Sequence, residues 1–377
     1  MLSIDEIQFK RFNIFNRFYG NDYKLNNEYN DIINIIDTFL YERYIKQTLP
    51  IYAKLPVHPH LIPRKLRSFL SRQLLCNVTK KKEDYDDCFS VFPQQFLVDK
   101  LRDFVKNCVE KDINKKIKQK AIWPENKRFA IIATHDVDTD YIFKYKWVLK
   151  RFIDIEHKHN IKSVWFIVAK RFKLNHLILS DLQKKGHEIG FHGDKHDYKF
   201  AFSSKEEIMG RLEYCEDFLQ KYNVKGFRSP VFLRTYNMFK CLQRFVEYDM
   251  SIHDVTINPL TKQKEGCMSV FPFFIDNLLE IPTTIPEDTF LKAFGYSTEE
   301  IIDIQAKKLE QIKEKGGVVN ILTHPEPQIS ANKQGYKIYD ALLEKCYQEK
   351  EEAWITLPNK LNTYWRKRDR AIQTKHK

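Results

Sequence analysis

Eleven consecutive residues, Gly186-His187-Glu188-Ile189-Gly190-Phe191-His192-Gly193-Asp194-Lys195-His196, hold three histidines and two acids. His192 and His196 stand four apart, a spacing that on a helical turn aims both imidazoles at one point. Joined by a carboxylate from elsewhere, they suit zinc or another divalent ion. A His-x-x-x-His pair is common by chance, so a second cluster decides the reading. It is Thr134-His135-Asp136-Val137-Asp138, and it follows the apolar run Phe129-Ala130-Ile131-Ile132-Ala133, which reads as a buried strand. Two carboxylates at the end of such a strand are costly to desolvate unless a cation or hydrogen bonds compensate. Along a regular strand Asp136 and Asp138 point the same way, so both reach one site.

The pattern Gly-His-Glu-Ile-Gly-x-His-x-x-x-His behind a strand-borne Asp pair resembles the polysaccharide deacetylases of the NodB-like homology domain, carbohydrate esterase family four. The later motifs keep the family's order. Phe227-Arg228-Ser229-Pro230 resembles its Arg-x-Pro, Tyr248-Asp249-Met250-Ser251 its Tyr-Asp-Ser-Ser, and Ile321-Leu322-Thr323-His324 its Leu-x-x-His. The resemblance runs from Trp123 to Arg368, about two thirds of the chain. It implies an irregular (β/α)7 barrel and a metal-dependent hydrolase that removes N-acetyl groups from an acetamido sugar or a polysaccharide precursor.

The resemblance also implies roles. Asp138, His192 and His196 are the expected metal ligands, with zinc the first expectation. A divalent ion lowers the pKa of bound water from about 15.7 toward about 7 and polarises a carbonyl, which is what a poor electrophile such as an amide needs. Asp136 is the expected base, although the family's usual Asp-Asp carries one inserted residue here, so Asp136 and Asp138 can exchange roles. Arg228 is expected to hold the base ionised, since a guanidinium is planar, bidentate and always charged. His324 is the expected general acid, its pKa lying near neutrality. Val231 and Pro230 are placed at the oxyanion and substrate, with Val231 where the family often has Tyr, and Phe232 as a substitute aromatic. Asp249 is placed with them. The carboxylate that orients His324 is open among Asp249, Asp254 and Glu326, and no Asp-Trp pair follows Ser251. His187 and Glu188 read as structural, and His135 as facing the barrel wall.

These residues need strands to carry them. From Phe129 the chain alternates apolar runs with helical periods: a helix at Lys146–Lys158, a strand at Ser163–Val168, a helix at Ile178–Lys185, a strand at His187–Phe191, a helix at Lys205–Tyr222, Gly226-Phe227, a helix at Ser297–Glu314, a strand to Leu322, then Ala353–Thr356 and a helix from Pro358 to Trp365. This rhythm argues for parallel strands with functional residues just after them. The domains expected are a mainly helical extension over 1–122, a deacetylase-like barrel over 123–368 and a loose basic tail over 369–377. Within the extension, helices are expected around Asp31–Leu40 and Gln95–Val109, and Arg64–Leu75 reads as a basic amphipathic helix that packs on its neighbour or touches an anionic membrane surface.

Composition sets outer bounds. The 377 residues are 43% hydrophobic, 30% charged and 14% aromatic, with a net charge of +13, an ordinary globular balance. No apolar run reaches the ~20 residues of a membrane helix. Nothing resembles a nucleic-acid module. Seven scattered cysteines without a Cys-x-x-Cys pair read as reduced thiols, and Met1–Glu6 shows no signal-peptide pattern, so a cytoplasmic protein is expected. A cytoplasmic member would act on a lipid-linked or nucleotide-linked precursor of a surface polysaccharide. Two other readings stand beside the main one: a hydrolase of a non-sugar C–N bond, and an inactive glycan-binding or interaction protein.

Overall fold

A computed structural model of the chain describes residues 12–19, 25–45, 49, 95–117, 121–257, 264–293 and 295–373. The basic segment Arg64–Leu75 lies outside them, as do Cys76 and Cys88. The strands, in chain order, are β1 Phe129–Val137, β2 Ser163–Ile167, β3 Glu188–Phe191, β4 Gly226–Phe227, β5 Tyr248–Asp249, β6 Thr256–Ile257, β7 Lys264–Glu265, β8 Phe273–Ile275, β9 Leu278–Glu280, β10 Val318–Thr323 and β11 Ala353–Ile355. Side by side they run β10-β1-β2-β3-β4-β5-β9-β8, with β11 against the first residues of β1; all neighbours are parallel except β8 and β9. β6 and β7 form a separate antiparallel pair.

The sheet curls into the irregular barrel that the resemblance implies. Its seam has no regular ladder, because Pro282 and Pro286 lack N–H donors. Side chains close it instead. Asn320 N–H donates to Thr284 Oγ1 at 2.9 Å, Thr284 Oγ1 donates to the Val318 carbonyl at 2.7 Å, and Ile285 N–H donates to the Asn320 carbonyl at 3.1 Å.

Buried β1 reads Phe-Ala-Ile-Ile-Ala-Thr-His-Asp-Val and is longer than its apolar run. The polar end stays in the strand because β2 and β10 pair with it as far as Val137 and His135. The helix at Lys146–Lys158 has the expected bounds. The expected Lys205–Tyr222 helix is two, Lys205–Glu213 and Glu216–Lys221, broken at Tyr214-Cys215. Capping boxes start the Lys205 helix, from Ser204 and Glu207, and the helix at Thr298–Lys315, from Ser297 and Glu300.

The extension supplies helices Asn30–Leu40 and Leu97–Asp112. Their apolar faces share one continuous core with the barrel: Ile14, Ile36 and Val98 belong to the same cluster as Phe129 and Phe271. Of the tail expected over 369–377, residues 369–373 are helical and 374–377 lie outside the described residues. The last helix runs from Pro358 to Gln373, because Asp369 pairs with Arg17 and Arg368 donates to the carbonyl of Phe18, so the extension gives those polar residues partners. Among the described residues, all five cysteines are free and four are buried. None of the described helices is long and apolar enough to cross a membrane.

Candidate active site

The site lies at the C-terminal ends of parallel strands. Asp136 is in β1, Asp138 is one residue beyond it, His192 follows β3 directly, and His324 follows β10. The loop from His192 to His196 is not the helical turn that the spacing suggests. Gly193 has φ +79° and His196 has φ +53°, two left-handed positions that turn the chain back on itself. The loop is pinned from outside. Ala169 N–H and Lys170 N–H donate to the carbonyls of Gly193 and Asp194, and the Arg211 guanidinium bonds both Asp194 oxygens and Asp197. Two residues before His192, Gly190 must stay bare, since a Cβ there would stand 2.3 Å from the Phe166 ring.

This loop brings together three ligand-type atoms. Asp138 Oδ1 stands 3.2 Å from His192 Nε2 and 3.2 Å from His196 Nε2. His192 donates its Nδ1–H to the Arg228 carbonyl at 2.8 Å, which fixes the tautomer and leaves the Nε2 lone pair facing Asp138. Asp138 Oδ1 is buried and accepts no hydrogen bond despite two imidazoles beside it. Around zinc with bonds of about 2.0–2.1 Å, tetrahedral ligands stand about 3.3 Å apart. The residues therefore fit a small divalent cation in donor type and spacing. Burial raises the Asp138 carboxyl, but His196 and His192 together hold it well below the carboxylate range. The same carboxylates hold the His192 imidazole up against burial.

Asp136 is turned to Arg228. Nη1 of that arginine donates to Asp136 Oδ1 at 3.0 Å and to Thr134 Oγ1 at 2.8 Å, while Nε donates to the Met250 carbonyl at 3.1 Å. Both residues are buried, so the pair has little water to share its charge. Asp136 Oδ2 also lies 3.8 Å from His192 Nε2, the nitrogen that Asp138 approaches.

On the other side of the mouth stands His324. Its Nδ1 lies 3.1 Å from Asp288 Oδ1, and its backbone N–H donates to Asp288 Oδ2 at 3.1 Å. Burial alone lowers the imidazole, but Asp288, followed by Asp138 and Asp136, raises it to about 10. Asp288 is the one residue of this pair that the sequence reading misses. The three acids considered for the role are committed elsewhere: Asp254 to Lys308 at 2.5 Å, Asp249 to Ser251 and Glu280, and Glu326 to Thr139. Asp249 is also fully buried, so its expected place beside the substrate is not available. Glu326 remains at the rim, its carboxyl pushed up to about 7 by burial and by the charge of Asp138.

Pro230 packs against the histidine loop, 3.4 Å from where a Cβ on Gly193 would be. Val231 has φ +51° and Phe232 φ +57°, left-handed positions that are strained for non-glycine residues and most of all for a β-branched one. Phe232 is buried against His253, ring centroids 4.0 Å apart, so it is not an open sugar platform. Tyr198 stands edge-on to His196, ring centroids 5.4 Å apart. His187 and Glu188 lie outside the site. Burial lowers the His187 imidazole to about 4 and raises the Glu188 carboxyl to about 7, and Glu188 accepts from Tyr248 at 2.6 Å.

Residues 127–243 match the family model described as polysaccharide deacetylase. No curated protein sequence matches the chain significantly. Among solved structures, a putative polysaccharide deacetylase from Mycobacterium smegmatis is 16% identical with a TM-score of 0.52, over 65% of this chain and 93% of that one. A probable polysaccharide deacetylase from Pseudomonas aeruginosa PAO1 is 12% identical with a TM-score of 0.52, over 65% and 93%. A Puue allantoinase is 12% identical, also at 0.52, over 64% and 92%. At these identities the structures speak for the fold, and the sequence model speaks for the family. Residues 127–243 thus resemble the polysaccharide deacetylases in sequence, and the barrel shares the NodB-like fold of these structures.

Proposed function

We propose that the chain is a metal-dependent hydrolase that removes N-acetyl groups from an acetamido sugar or a polysaccharide precursor, with residues 123–368 as its catalytic unit. The observation that carries this reading is the Asp138–His192–His196 set, whose ligand-type atoms converge on one point, flanked by the Asp136–Arg228 and Asp288–His324 pairs. A divalent cation held by Asp138, His192 and His196 supplies a Lewis acid that makes water nucleophilic at neutral pH. Zinc suits two imidazoles and one carboxylate best.

The chain's own groups supply the proton transfers. Arg228 orients the Asp136 carboxylate, the group assigned to take a proton from the attacking water. Asp288 keeps His324 as an imidazolium, ready to protonate the leaving amine nitrogen as the C–N bond breaks and acetate forms. The Val231 N–H, in its left-handed turn, is the donor assigned to the developing oxyanion. The net charge of +13 suits a phosphorylated or lipid-linked sugar.

The test is acetate release from acetylated amino sugars by protein loaded with zinc, beside EDTA-treated protein. Activity that survives complete metal removal would sink the proposal. A second reading, hydrolysis of a small non-sugar amide, is favoured by the equal structural likeness to an allantoinase. A cyclic amide in the same substrate panel separates the two.

A further inference from the structure

The strained Pro230–Phe232 turn needs a reason to persist. Two successive non-glycine residues in left-handed conformation hold only where their surroundings over-determine them. The surroundings here include a residue of the N-terminal extension. After helix Asn30–Leu40, the chain turns at Glu42, itself left-handed with φ +49°. The Glu42 carboxylate meets the Arg234 guanidinium through both oxygens, at 2.5 Å from Nε to Oε2 and more closely from Nη2 to Oε1. Both side chains are more than nine-tenths buried. The remaining nitrogen, Nη1, donates to the Phe232 carbonyl at 2.7 Å and to Glu265 Oε1 at 3.3 Å.

This is a fixed chain of contacts from the extension to the turn. Glu42 and Glu265 leave the Arg234 fork one orientation, and that orientation places a charged donor on the Phe232 carbonyl. A charge-assisted bond at that carbonyl fixes the peptide two bonds along from Val231. The other side of the turn is fixed within the barrel, where Ser229 N–H donates to Ser251 Oγ at 2.8 Å and Ser229 Oγ donates to the Leu233 carbonyl. Neighbouring contacts hold the tip of the extension in place: Tyr44 OH donates to the Gly266 carbonyl at 2.8 Å.

We propose that Glu42 is a positioning residue for the Pro230–Phe232 turn, acting through Arg234, so that the extension sets the geometry of the backbone donor assigned to the oxyanion. The kinetic half of this inference rests on the deacetylase reading above; the conformational half does not.

The experiment compares wild type with Glu42→Ala, Glu42→Gln, Arg234→Lys and Arg17→Ala, by amide hydrogen exchange over 229–234 and by kcat and KM for acetate release. Arg17→Ala is the control, since it cuts the Arg17–Asp369 link between extension and last helix, a contact outside the Glu42–Arg234–Phe232 chain. In Glu42→Ala, exchange over 229–234 is expected to rise, and kcat to fall about tenfold at unchanged KM, short of the ~10²–10³ for losing a donor outright. Glu42→Gln, which keeps an acceptor for Arg234, is expected to recover most of both. Arg234→Lys cannot hold Glu42 and the Phe232 carbonyl together and is expected to loosen the turn with its charge intact. Arg17→Ala is expected to lower Tm and leave turn and kcat alone. Unchanged exchange over 229–234 in Glu42→Ala and Arg234→Lys overturns the inference, as does an equal kcat loss in Arg17→Ala. Should wild type release no acetate, the deacetylase reading falls by itself, and the exchange data still decide whether Glu42 holds the turn.

Discussion

Two clusters of two histidines and one carboxylate lie beside β1 and β3 of this barrel, and they have opposite chemistry. One is Asp138 with His192 and His196. The other is Glu156 with His135 and His187. In the second, His135 Nε2 lies 2.6 Å from Glu156 Oε1 and its Nδ1 lies 2.6 Å from Thr323 Oγ1. Tyr339 donates to Glu156 Oε1 at 2.8 Å and Ser163 to Oε2 at 3.0 Å. His135 also stacks on Trp165 with centroids 4.0 Å apart, and neither it nor Glu156 is exposed. Every oxygen of that carboxylate is taken. In the first cluster the carboxylate oxygen between two imidazoles accepts nothing. Residue types alone do not make a cation site; what matters is whether hydrogen bonds have already consumed the lone pairs. Strand alternation assigns the faces. Thr134 and Asp136 both reach Arg228, while His135 between them faces the wall.

The sharpest way to break this contrast is to remove one member of each cluster. Asp138→Ala and His192→Ala are expected to lose the ion from a protein that otherwise holds about one per chain, and to lose essentially all acetate release, read by metal analysis and turnover. His135→Ala is expected to keep its metal if folded; loss of metal from a folded His135→Ala would void the distinction. Next in size is Asp136→Asn, with metal retained and kcat down by ~10²–10⁴, the range for a general base. Glu156→Gln acts on stability instead, by about 3–5 kcal/mol for breaking a buried pair, seen in denaturant unfolding.

The sign of its pH dependence follows. Burial raises Glu156, but His135 and its other partners bring it net below the ordinary 4.5. Its stabilisation is thus present above 4.5 and lost as pH falls through the lower folded value, and Glu156→Gln should flatten that acid loss. The smallest effect is expected from Asp288→Asn. His324 is raised from 6.5 to about 10, so its contribution to stability is full below 6.5 and lost as pH rises through about 10. Its acid form follows the same upper limit. Replacing Asp288 should move the alkaline limb of the pH–rate profile down toward 6.5; an unmoved limb would assign the limb to another group.

Much of the barrel is legible in the sequence because period and burial agree there. Lys146–Lys158 keeps a clean helical stripe, and Val318–Thr323 a clean apolar run. The failures have local causes. Polar Thr134, His135 and Asp136 hide the second half of β1, since their partners come from distant segments. The break at Tyr214-Cys215 leaves the apolar period intact and changes only the backbone. The last helix continues past Trp365 because Arg368 and Asp369 find partners on the extension, which charge pattern alone does not reveal. At the site, the five motifs bring their residues together. Asp288 escapes because it lies 36 residues before His324, in a proline-bounded segment with no period to mark it. The left-handed turns at His196 and Val231 escape because neither residue type announces such a backbone.

The pairing of β1 has a consequence for the ribosome. This strand is made early, yet its neighbours β10 and β11 leave the exit tunnel roughly 180 and 215 residues later. At synthesis rates of ~5–20 residues per second, an apolar strand edge waits some ten to forty seconds for its partner. Such an edge is a template for pairing with other nascent chains. The barrel therefore closes only after β10 and β11 have emerged, and its yield in a cell should depend on what shields β1 until then.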